Sequence, residues 1–155
     1  MTELLAAVRP DEQNFPLFVH ILGATVLVGG LLTGASALAF ARGQARFLRL
    51  GYWTLLAAAL PGYVVMRVGA HWIYSEQGWD DLPEGTDEPA WLGIGWVTAD
   101  LGGLLFLVSL AVGGVGVYRL RDGKGSGLLK VTLAISLLLL AAYVVAAWAM
   151  SGKPD

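Results

Sequence analysis

Long apolar runs alternate along this chain with short charged ones, and the run lengths set the fold. Four segments, at about residues 15–41, 52–74, 90–118 and 128–150, hold almost no ionisable side chain. A bilayer core about 30 Å thick needs about 20 apolar residues in a helix, and each segment reaches that length. The prediction is an all-α chain: an antiparallel four-helix transmembrane bundle formed by residues 1–155 as a single integral membrane domain. Asn14 and Pro16 mark the start of the first helix, as an N-cap and a first-turn proline.

The connections differ in sign. Arg42, Arg46 and Arg49 follow the first segment, and Arg119, Arg121, Lys124 and Lys130 flank the link between the third and fourth. The connection at 75–89 carries Glu76, Asp80, Asp81, Glu84, Asp87 and Glu88 and no base. Lys and Arg near helix ends stay in the cytoplasm. Both basic links therefore belong inside, with the acidic loop and both termini on the outer side of the cell membrane, here a bacterial inner membrane. Met1–Asn14 sets Glu3, Asp11 and Glu12 against Arg9 and so lacks the basic start of a signal peptide. The first apolar run is also longer than a leader needs. It reads as an anchor.

Composition agrees. Charged residues make up 14% of the chain, against about 25% in a soluble domain. The absence of cysteine excludes disulfides, thiolate metal sites, cysteine-ligated iron–sulfur clusters and thiol catalysis. Small residues predict close helix packing: Gly30 and Gly34, with Gly23 one face-repeat earlier, and seven glycines between Gly93 and Gly116. Pro61-Gly62 predicts a kink in the second helix. Trp72, Tyr74, Trp79, Trp91, Trp96 and Trp148 gather at the outer ends as an interfacial belt.

Against this background His20, Arg67, His71 and Asp100 stand out, because ionisable groups at membrane depth are costly. At about 1.5 Å per residue, His20 and His71 lie within roughly 8 Å of the outer surface and Asp100 roughly 13–14 Å below it. Arg67 is one turn deeper than His71 on the same face. Arg67 and Asp100 form the natural intramembrane ion pair. Its alternatives are a proton-handling carboxylate, or an arginine that holds an anionic group such as a haem propionate or quinol oxygen. The histidines are either interfacial residues bonded to water and headgroups, or ligands. Neutral imidazole binds haem iron and copper, so His20 and His71 suit haem b near the outer face, with Arg67 beside it. With Met150, they suit copper; Met66 is the weaker thioether candidate. No nucleophile elbow, zinc-protease, phosphate-loop or dinucleotide motif is present, and no catalytic residue is identified. No basic aromatic surface points to nucleic acid.

The segment His20-Ile21-Leu22-Gly23-Ala24, running on to Gly29-Gly30, resembles the opening helix of a group of small four-helix bacterial integral membrane proteins. The group includes the copper-resistance CopD-like domain and the membrane protoporphyrinogen oxidases. Pro61-Gly62 and Trp91-Leu92-Gly93 are similar in placement. The resemblance implies His20 as a haem or copper ligand. The chain has Leu27-Val28 where the group commonly carries tryptophan, and it lacks the Pro-Arg and second-histidine run of the oxidases, so oxidase activity does not carry over. The leading expectation is a haem b- or copper-binding protein in redox or metal handling at the outer face. One alternative is a non-catalytic membrane subunit packed against a protein partner or a homo-oligomer. The other is a small transporter or channel subunit using Arg67 and Asp100.

Overall fold

The computed structural model describes residues 11–79 and 89–152. Five α-helices, α1 Asp11–Ala39, α2 Ala45–Thr54, α3 Leu60–Glu76, α4 Ala90–Arg119 and α5 Ser126–Gly152, form four spans. Helices α2 and α3 make one continuous rod through a π turn at Leu55–Ala59. All four spans are long and apolar enough to cross a membrane. The chain is a multi-pass membrane protein with an all-helical, antiparallel four-helix bundle.

Two boundaries differ from the sequence expectation. The first span starts at Asp11, so Asn14 is not its N-cap and Pro16 lies inside the helix, at the loss of the bond to the Glu12 carbonyl. The second span starts at Ala45, well before Tyr52. Its first turns are amphipathic: Leu48, Gly51 and Tyr52 are buried, while Arg46 and Arg49 face outward. A hydropathy reading stops at those arginines, whereas the helix does not. The expected kink takes a specific form. The Leu60 amide reaches the Leu55 carbonyl, so the helix has already widened where Pro61 withholds an amide from Ala57. Of the acidic loop expected at 75–89, residues 80–88 lie outside the described residues.

Packing follows the small residues. Spans 1 and 2 interlock along a seam on which each helix alternately offers a glycine and a larger residue. A Cβ on Gly30 would stand 2.7 Å from the Ala59 amide nitrogen, and one on Gly62 would stand 2.5 Å from that of Leu27. Gly23 lies against the Met66 backbone and Gly69 against that of His20. Spans 3 and 4 form a second seam, with Gly95 under Met150, Gly102 under Tyr143 and Gly116 under Leu129. Span 1 also packs on span 4. Spans 2 and 3 scarcely touch through their backbones. Large side chains from span 2 cross that gap, Tyr63 reaching Gly103 and Tyr52 reaching Gly113 and Gly114.

Candidate functional site

The polar residues gather at the gap between spans 2 and 3. Tyr63, Arg67 and His71 follow one another at four-residue intervals, so one stripe of α3 carries all three. On α4, Trp96 and Asp100 share the same interval. The two stripes face each other. Arg67 Nη2 lies 2.7 Å from Asp100 Oδ1. The Arg67 guanidinium also rests 4.8 Å from the centre of the Trp96 ring, which Tyr74 meets edge-on at 5.4 Å. One turn deeper, the Tyr63 hydroxyl donates to the Ala99 carbonyl at 3.1 Å. These contacts join two helices that lack a backbone seam.

The cluster is not satisfied internally. Among the described residues, three buried side-chain polar atoms lack a hydrogen-bond partner: Arg67 Nη1, Tyr143 Oη and Ser109 Oγ. Tyr143, on α5, is only 6% exposed. Its hydroxyl reaches Gly102 while that of Tyr63 reaches the adjacent Gly103, so two phenols from different spans converge on one point of α4. Buried groups of this kind are few in native proteins and mark places where water or a ligand supplies the missing bond. Asp100, by contrast, is 59% exposed and Arg67 28%. An open depression of about 500 Å³, lined by Arg67, Val68, His71, Trp72 and Ser75, leads toward the acidic-loop end. Toward the other end, fully buried Phe106 and Leu139 close the bundle.

The structure does not bring His20, His71 and Met150 together. His20 sits on the span 1–span 2 seam, and its Nδ1 lies 3.0 Å from the Met66 carbonyl. A carbonyl only accepts, so Nδ1 carries a proton and donates in this bond, leaving Nε2 as the atom not engaged by it. A ligating histidine is often held this way, but His71 is no second donor to it. His71 is two residues past Gly69, which faces span 1, so it points roughly 200° away around the helix. It is exposed and lines the depression beside Arg67. The Met150 methyl is spent on Gly95 in the other seam, and Met66 is buried in the core. Among the described residues no three His, Cys, Asp or Glu side chains could share a metal ion. His20 and His71 therefore do not converge as a bis-histidine pair, and Arg67 is engaged with Asp100. Equal depth suggested the histidine pair; helical phase separates it. From the sequence, Tyr143 stands out only as the one ionisable group between Val131 and Met150, Ser109 has no histidine at its depth, and Tyr63 is given no role. A tyrosine inside an apolar helix was the available signal.

Comparisons with family models, with curated proteins and with solved structures return no match.

Proposed function

We propose that this chain is a small membrane transporter, or the conducting subunit of one, in which Asp100 binds and releases a proton and Arg67 compensates its charge. One observation carries this reading: Asp100, ten residues into its helix, is more than half exposed while its partner Arg67 keeps a buried nitrogen without an acceptor. A purely structural ion pair in lipid would be sealed and fully bonded, because each unsatisfied group there costs several kcal/mol. A carboxylate that must exchange protons has to be reached from one side. The depression, lined by α3 residues alone, reaches Arg67, the partner of Asp100, from the acidic-loop end, and buried Phe106 with Leu139 supports closure toward the other. Ser136, Thr132 and Ser109 continue a line of hydroxyls beyond that closure, with Ser136 donating to the Thr132 carbonyl at 2.8 Å. Tyr143 and Ser136 are about 10 Å apart along the helix, so water has to enter for protons to pass. The basic links support a cytoplasmic Arg-rich end, and access to Asp100 is then from outside.

The test is proton flux into liposomes containing the purified chain, followed with an enclosed pH-sensitive dye under an imposed potential. Flux in the native protein that is abolished by Asp100→Asn is expected. No flux above that of empty liposomes would sink the transport reading. The exposed Asp100 would then be a surface covered by a partner helix, as in a non-catalytic subunit.

A further inference from the structure

The span 2–span 3 gap has a second opening at its Arg-rich end. Arg49 of α2 and Arg121, in the short 3-10 turn Leu120–Asp122 after α4, flank a cavity of about 430 Å³. Tyr52 and Gly114 lie inside it, and Trp53 and Tyr118 form its rim. Tyr52 keeps the two helices apart here, its ring against Gly113 and its hydroxyl against Gly114. Among the described residues no carboxylate pairs with either arginine, since Arg67–Asp100 is the one ion pair there. Arg121 instead stacks over Tyr118, 5.8 Å from the ring centre, which holds its guanidinium at the cavity mouth. Trp53 is 54% and Tyr118 67% exposed, as side chains at headgroup level are.

We infer that this cavity binds the phosphate headgroup of an anionic phospholipid, with Arg49 and Arg121 as its two cationic ligands. A guanidinium fork matches phosphate oxygens, and two of them on different helices can hold one phosphate from both sides. Exposed Trp53 and Tyr118 border the cavity, so its mouth can be reached from the bilayer at headgroup level. A ligand with an anionic head and an apolar tail satisfies both the arginines and the aromatic rim, which a free phosphate does not. Basic pockets between helices at the cytoplasmic side are placed where anionic lipids concentrate. The site lies at the opposite end of the bundle from Asp100 and does not depend on the transport reading.

Native mass spectrometry of the full chain in detergent, with phosphatidylglycerol and phosphatidylcholine added in competition, tests this directly. One tightly held phosphatidylglycerol is expected. The double variant Arg49→Gln/Arg121→Gln should weaken it by about a hundredfold, the effect of losing two charge-assisted hydrogen bonds to the phosphate. Arg42→Gln/Arg46→Gln removes equal charge from the same end but outside the cavity, and should change retention less than about threefold. Equal losses in both double variants would reduce the effect to general surface charge and overturn the site. So would native protein with no preference for phosphatidylglycerol, or retained lipid that inorganic phosphate displaces as well as phosphatidylglycerol does.

Discussion

Gly29 and Gly30 are neighbours in the same helix, and replacing each with alanine should move stability in opposite directions. Both gain the same backbone advantage, up to about 1 kcal/mol, because alanine loses less freedom in a helix than glycine. The surroundings differ. A Cβ on Gly29 meets nothing within 4 Å. One on Gly30 would stand 2.7 Å from the Ala59 nitrogen and 2.9 Å from both its Cα and Cβ. These are atoms of the opposite helix and cannot swing aside. Ordinary contact begins at 3.4 Å, so the seam would have to open by about 0.7 Å. That opening loosens Leu27, Leu31 and Leu55, all fully buried beside it. Overpacking of this kind costs about 1–3 kcal/mol. Gly30→Ala should therefore lose up to about 2 kcal/mol net, while Gly29→Ala gains a few tenths to about 1 kcal/mol. The assay is unfolding of detergent-solubilised protein by increasing SDS, followed by helical circular dichroism. Equal midpoints for the two variants, or a more stable Gly30→Ala, would refute the interlocked seam.

Further outcomes follow from the same contacts. Asp100→Ala should destabilise by about 1–3 kcal/mol, less than a sealed pair because the carboxylate is half exposed, and adding Arg67→Met should recover most of it; the SDS midpoint reads both. Tyr143→Phe removes a hydroxyl with no partner and should leave that midpoint unchanged or raised, so a clear fall would mean that the hydroxyl is bonded in the membrane. His20→Ala should cost about 1 kcal/mol through its bond to the Met66 carbonyl, whereas His71→Ala should stay within about 0.5 kcal/mol; similar losses at both would contradict their separation. The chain has no cysteine, so single cysteines at Gln44, Gly123 and Gln77 give a clean labelling test of orientation. An impermeant maleimide added to intact cells should reach only Gln77→Cys.

The span count was legible because the apolar runs are long and the breaks between them charged. The start of span 2 was not, because Arg46 and Arg49 occupy the exposed side of a helix whose other side buries Leu48 and Tyr52. Average hydropathy hides such a face. The contact between Arg67 and Asp100 could be anticipated from depth and sign alone. Depth was not enough for the histidines. His20 and His71 lie close in height, and only the position of Gly69 against His20 reveals that His71 points away. The roles of the α4 glycines were half legible: their number announced close packing. That Gly103, Gly113 and Gly114 receive tyrosines rather than another backbone depends on which span lies opposite.

Three pairs of spans bring their backbones close together, and one pair is bridged mainly by side chains. Spans 1 and 2 are locked by glycines on both helices, spans 3 and 4 by glycines on one, and span 1 packs on span 4. Only between spans 2 and 3 do Tyr52, Tyr63 and Arg67 bridge the helices. Packed side chains can change rotamer without unwinding a helix, so this gap can open or close at far lower cost than a glycine seam. The unsatisfied Arg67 nitrogen, the exposed Asp100 and the Arg49–Arg121 cavity all lie along it. A device that has to admit water, a proton or a lipid needs one compliant wall and three firm ones. If the gap is that wall, cysteines placed at the exposed Val64 and Leu104 and joined by a short bis-maleimide should block proton flux while leaving the SDS midpoint at or above that of the unlinked protein. Unimpeded flux through the cross-linked chain would move the conducting path elsewhere in the bundle.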